Sequence, residues 1–220
     1  AFMSGSGSNF KEIYKFQKEL EMSLGRSAPY EIAVVFTDTQ KGYHNAAKII
    51  ADITGREDAI PRVFLNPNDI IPDHMYNTKD KILKENGRLL YDQATADVLT
   101  PYEVNFAILA GYMRLLSPWF VRRLACANVH PGPLNVINPF TGKRKYTGDN
   151  AVKKQILEGR EYLQSTVNVA REGADTGEIL MLSRESPIEL EGHTLEELKL
   201  ETNSNLLEEI INKNQNRLKE

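Results

Sequence analysis

Cysteine and tryptophan are scarce in this chain, with one of each among 220 residues. A lone Cys126 excludes an intrachain disulfide, which suits a reducing compartment, so a cytoplasmic protein is expected. No Cys/His cluster has the spacing of a zinc site, and no metal is expected. Also missing are an apolar run of membrane-spanning length and a signal-peptide pattern, so the chain reads as soluble. There is no excess of one charge: 27 Lys and Arg stand against 30 Asp and Glu, a formal net charge of −3. That balance gives no electrostatic reason for a nucleic-acid or membrane partner. Repeats and an interdomain linker are absent too. With 41% hydrophobic residues the chain can bury a full core, and one domain over residues 1–220 is the expectation.

What is present is alternation. "EIAVVFTD" (31–38) and "FAILAGY" (106–112) are short apolar runs that read as buried strands, with "IPRVFLN" (60–66) and "STVNVARE" (165–172) as weaker ones. Between them lie helical patterns that stop at glycines, the expected left-handed caps: Gly25, Gly55, Gly87 and Gly159. The first, "FKEIYKFQKELEMSLG", places Ile13, Phe16, Leu20 and Leu24 on one face. Residues 193–217 read as a closing helix, with "TNSN" as a break within it. Strand, helix and strand in turn predict an α/β fold with a mostly parallel central sheet and helices on both faces. Such sheets keep their ligands outside the carboxyl ends of the strands.

Four stretches carry chemistry. "SGSGSNF" (4–10) puts glycines before a helix that Asn9 is expected to cap, so backbone N–H groups can meet an anion. The same composition also describes a flexible linker, and it lacks the full dinucleotide spacing. "AGYMRLLSPWF" (110–120) makes Ser117 an N-cap and Pro118 the first helical residue, leaving Gly111 to Leu116 as a strand-to-helix loop. By themselves Met113, Leu115 and Leu116 read as core and Arg114 as a surface charge. "CANVHPGPLN" (126–135) ends a predicted strand, and Asn128 and His130, two apart, share one face. An amide that donates to a developing oxyanion beside a titrating imidazole suits carbonyl chemistry. "REGADTGEIL" (171–180) sets Asp175 in a loop, where it serves the turn through its own backbone hydrogen bonds or orients His130. The basic stretch "TGKRKYTG" (141–148) reads as a solvated turn, and His44, His74 and His193 carry no assigned chemistry.

In this order, "SGSGSNF", "AGYMRLLSP", "NVHP" and "ADTGEIL" resemble the 10-formyltetrahydrofolate-dependent formyltransferase family, nearest to the branch that formylates glycinamide ribonucleotide in purine biosynthesis. The resemblance runs nearly the whole chain. It implies a three-layer α/β fold with a nucleotide- and phosphate-binding half (1–110) and a folate-binding, catalytic half (111–220). It implies Gly7, Ser8 and Asn9 at the substrate phosphate, and Tyr112, Met113, Arg114, Leu115 and Leu116 around the folate, largely through backbone contacts. It implies Asn128, His130 and Asp175 as the catalytic trio, with Asp175 also in the loop that closes over the folate. The co-substrate would be 10-formyltetrahydrofolate, the partners small-molecule substrates, and the assembly a monomer or homodimer.

The chain also departs from the family pattern. Gly132-Pro133-Leu134-Asn135 replaces Ser-Leu-Leu-Pro, the stretch from Asn135 to Tyr146 is longer, and Asn150 and Asn168 stand where the purine enzymes carry histidines. Near Leu206, no glutamate matches the one that recognises the substrate amine. The alternatives are therefore a transferase for another amine, a formyltetrahydrofolate hydrolase, or a non-catalytic folate- or nucleotide-binding module.

Overall fold

The structure is a computed structural model, in which residues 1–218 are described. Two compact units emerge: Ala1–Ala127 with Ala170–Gly173, and Asn128–Val169 with the chain from Ala174 on. The first unit contains β1 (Phe2–Met3), α1 (Ser8–Leu24), β2 (Val35–Thr37), α2 (Gln40–Thr54) and β3 (Arg62–Phe64). It continues with α3 (Pro67–Ile70), α4 (Asp73–Tyr76), α5 (Lys81–Leu99), β4 (Phe106–Leu109) and α6 (Pro118–Arg123). β5 (Ala125–His130) starts in this unit and ends in the second. The second unit adds α7 (Ala151–Leu157), β6 (Tyr162–Leu163), β7 (Thr166–Val169), β8 (Ile179–Leu182), β9 (Ser186–Pro187), α8 (Leu195–Leu198) and α9 (Ser204–Arg217).

In the first unit the strand order is β3-β2-β1-β4-β5, and β1 runs parallel to both β2 and β4. Alternation along these strands divides the core. Phe2 and Phe36 point to a cluster with Tyr91, Leu109, Tyr112 and Phe120, and Phe2 meets Phe36 at 4.9 Å between ring centroids. Met3 and Val35 point the other way, to Phe10, Tyr14, Ala46 and Ile50 of α1 and α2. Helices therefore cover both faces, as expected for a mostly parallel α/β sheet. In the second unit β7 lies next to β5 and pairs antiparallel with β8, while β6 and β9 form a separate antiparallel pair. Val152, Ile156, Leu163, Leu207 and Ile210 are among the residues of that unit's own core.

Three local expectations are corrected, and the expected break in the closing segment is found. α1 buries Phe10, Tyr14 and Gln17, whereas Phe16 and Leu24 are exposed. Two apolar stripes run along this helix, and the one facing the sheet is chosen by the partner surface. Asn9 lies inside α1, whose N-cap is Gly7. Gly25, Gly55 and Gly159 do end helices with positive φ, but α5 runs straight through Gly87. A Cβ at Gly87 would lie 2.9 Å from Ile71 Cγ2 and 3.2 Å from Met75 Cβ, so this glycine serves close packing rather than a cap. The closing segment is interrupted: Thr194 and Glu197 form a capping box on α8, and a short 3-10 turn at Glu201–Asn203 precedes α9.

Cys126 is buried, and burial pushes its thiol up to about 12. The reactive species is the thiolate. Alkylation by iodoacetamide at neutral pH is expected to be roughly two or more orders of magnitude slower in native protein than in urea-unfolded chain. Mass spectrometry of the labelled protein measures the ratio, and comparable rates in the two states would contradict this placement.

Candidate active site

The second unit assembles Asn128, His130 and Asp175. β5 ends at His130, and its alternation aims Asn128 and His130 to the same side. Asp175 lies in the loop between β7 and β8 and takes a left-handed backbone (φ 55), which aspartate adopts more readily than most residues. Asp175 Oδ1 accepts from Asn128 Nδ2 at 3.3 Å and lies 3.3 Å from His130 Nδ1. Its Oδ2 accepts from Gly148 N at 2.8 Å, and Arg144 Nη1 donates to its backbone carbonyl. His130 is only 4% exposed and Asp175 9%. The other ring nitrogen, His130 Nε2, lies 2.6 Å from the carbonyl oxygen of Tyr146. The trio read from the sequence thus meets on one carboxylate oxygen.

The residues that hold this arrangement are mostly backbone groups that sequence reasoning missed. Thr166 Oγ1 donates to Gly132 O at 2.6 Å and accepts from Leu134 N at 3.0 Å, fixing the turn after His130. The basic stretch has a solvated tip at residues 141–143, as expected, on a short bridged turn. Ile137 bridges Arg144, Lys145 N donates to Val136 O at 2.9 Å, and Asn138 Oδ1 accepts from Phe140 N and Thr141 N. Lys145 and the Tyr146 hydroxyl both reach Glu158 Oε2 at 2.7 Å.

The first unit holds the two other segments. Ser4 to Gly7 is an ordered turn, not a flexible linker. Asn45 Nδ2 donates to Gly5 O at 3.1 Å, Thr39 Oγ1 donates to Ser4 O, and Met113 N donates to Ser4 Oγ at 2.9 Å. Gly7 has φ 75 and no side chain caps α1 there, so the first N–H groups of a 17-residue helix are left for an acceptor. A Cβ at Gly7 would lie 2.7 Å from both Ile49 Cδ1 and Met3 Cε. Gly7→Ala is expected to destabilise the protein by about 1–2 kcal/mol through the left-handed backbone alone. A urea titration monitored by circular dichroism measures this, and unchanged stability would contradict it.

In the segment after β4, Tyr112 packs on Phe2 at 5.4 Å and Leu116 is buried, whereas Met113 and Leu115 are exposed. Met113 and Leu115 are therefore not the core residues their composition suggests. Nor is Arg114 a free surface charge: its guanidinium lies over the rings of Tyr91 (4.9 Å) and Tyr76 (5.6 Å). Ser117 caps α6 by accepting from Phe120 N at 3.3 Å, as the Ser-Pro pattern predicts, and its own N–H donates to Asp92. Among the described residues no three His, Cys, Asp or Glu are grouped to hold a metal ion, and no helix is long and apolar enough to cross a membrane.

This arrangement can be set beside known proteins. The model of the formyl transferase family matches residues 1–209. The chain belongs to the formyl transferase family. A phosphoribosylglycinamide formyltransferase of Vigna unguiculata chloroplasts is 29% identical over 199 residues, covering 90% of this chain and 53% of its own. One from Haemophilus influenzae is 30% identical over 140 residues, covering 63% of this chain and 59% of its own. The chain therefore spans little more than half the length of these curated relatives. Among solved structures, glycinamide ribonucleotide transformylase 1 of Symbiobacterium toebii superposes with a TM-score of 0.61 at 22% identity, over 99% of this chain and 84% of that one. At that identity the likeness speaks for the formyl transferase fold.

Proposed function

We propose that this formyl transferase moves the formyl group of 10-formyltetrahydrofolate to the primary amine of a phosphorylated acceptor, glycinamide ribonucleotide in purine biosynthesis. The observation that carries this reading is the convergence of Asn128, His130 and Asp175 on one buried carboxylate oxygen at the end of β5. The relatives named as phosphoribosylglycinamide formyltransferases support the choice of acceptor.

The acceptor phosphate is assigned to Gly7, Ser8 and Asn9, where uncapped N–H groups and the helix dipole favour an anion. The folate is assigned to Tyr112 through Leu116. In the reaction the acceptor nitrogen bonds to the formyl carbon, the bond from that carbon to N10 breaks, and one proton passes from the amine to N10. Asn128 has two amide protons and spends one on Asp175. The other is the donor for the tetrahedral oxyanion. His130 has both nitrogens engaged within the unit, by Tyr146 and Asp175. Its part is therefore to support Asp175 and share a proton with it, while Asp175 moves the amine proton through water. The protein is taken to act in the cytoplasm, as a monomer or homodimer, on small molecules alone.

A spectrophotometric assay with a 10-formyl folate analogue, with and without glycinamide ribonucleotide, tests this. Folate product that forms only with the ribonucleotide is expected. Equal product without it would mean hydrolysis, and no product in either case would refute the proposed reaction.

A further inference from the structure

Gly132 is crowded by three groups, one of which is the histidine. A Cβ there would lie 2.8 Å from Tyr146 O, 3.0 Å from Ala151 Cβ and 3.0 Å from His130 Nε2. Any side chain at this position must displace the Tyr146 carbonyl, the imidazole or both, and so disturbs the contact between them. The carbonyl is otherwise well anchored. Tyr146 is buried, and its hydroxyl donates to Glu158, which Lys145 also pairs. Arg160 lies 5.3 Å from the centre of the Tyr146 ring. Thr166 Oγ1 donates to the Gly132 carbonyl.

A carbonyl oxygen only accepts, so Nε2 carries a proton whenever the 2.6 Å contact exists. The ring atom left to gain or lose a proton is then Nδ1, and the group facing it is Asp175 Oδ1. Beside the pair lies Arg144, whose guanidinium donates to the Asp175 carbonyl. We propose that the Tyr146 carbonyl, admitted to the ring by Gly132, fixes His130 in its Nε2–H form and confines proton exchange to Nδ1 and Asp175. Gly132 and Tyr146 are positioning residues for that exchange. With its single ring proton on Nδ1 instead, the histidine would take up the next proton at Nε2, on the side away from Asp175, and the exchange between the two would be broken. The tautomer is independent of which reaction the protein performs, whereas its effect on turnover rests on the transferase reading.

Two-bond 1H–15N correlation spectra of the whole protein, labelled at histidine, test the tautomer directly, with His130 assigned by the signal lost in His130→Gln. Nε2 is expected to keep a pyrrole-type shift at every pH, with any change confined to Nδ1. A pyridine-type Nε2, or the averaged shifts of two exchanging tautomers, would overturn the proposal. Gly132→Ala is expected to produce those averaged shifts and to lower kcat roughly 100-fold, the scale of an ångström-sized misplacement, with KM little changed. A Gly132→Ala protein with the parent spectrum and parent kcat would overturn the role of the glycine. If that variant does not fold, Tyr146→Phe replaces it. This variant keeps the carbonyl and gives up the hydroxyl bond to Glu158, so the Nε2 signal persists if the backbone sets the tautomer and is lost if the hydroxyl does. A fixed Nε2–H form in a protein that transfers no formyl group would support the tautomer and refute the transferase reading.

Discussion

Asp175→Asn is expected to lower kcat for formyl transfer by roughly 1000-fold or more, approaching the ~10⁴-fold cost of the same change in a serine-protease triad. Asparagine tolerates the left-handed backbone of this position, so the loop can keep its course. What changes is the hydrogen-bond polarity. Oδ1 accepts from Asn128 Nδ2 and faces His130 Nδ1, with which it exchanges a proton, and Oδ2 accepts from Gly148 N. An amide replaces one of these acceptors with an NH2 group, so a donor meets a donor whichever way it turns. The negative charge opposite His130 is lost as well. Steady-state kinetics on both substrates, with a thermal melt to confirm folding, reads the effect. A kcat within roughly tenfold of the parent would fall below the ordinary range of acid–base catalysis and remove Asp175 from the proton route.

Asn128→Ala is expected to cost roughly 100- to 1000-fold in turnover, the range measured when one oxyanion donor is deleted from a well-studied hydrolase. Asp175 retains Gly148 and His130 in this variant, so the carboxylate keeps its place and the missing element is the donor to the developing oxyanion. KM for the folate should move little, since an interaction made only in the transition state affects kcat. Turnover within roughly tenfold of the parent would sink the oxyanion assignment.

The sequence makes some of this plain and hides the rest for physical reasons. Asn128 and His130 share a face because strand side chains alternate, a rule that needs nothing beyond the strand itself. The glycines at 25 and 55 end helices because the left-handed backbone is a local demand. Gly87 looks the same in the sequence but answers a tertiary demand, the approach of Ile71 and Met75, which no local pattern encodes. The same holds for α1, where Tyr14 and Gln17 are buried in preference to Phe16 by the surface the helix meets. Asp175 was legible as a loop aspartate, but its meeting with His130 depends on contacts far apart in the chain. The Tyr146 carbonyl left no direct trace, since every residue has one. Its only signal is indirect, in a glycine two positions after the histidine.

The first unit takes its last segment, Ala170–Gly173, from beyond Val169, and Ala170 N donates to Cys126 O at 2.8 Å. Translation runs from the amino end, so residues 1–127 leave the ribosome before Ala170 has been made. The outer edge of β5 then stays open while Asn128 to Val169 is synthesised, and an open strand edge is a template for pairing with another chain. A gene divided at the border between Ala127 and Asn128 would yield a polypeptide with that edge permanently bare, prone to self-association rather than an independent domain.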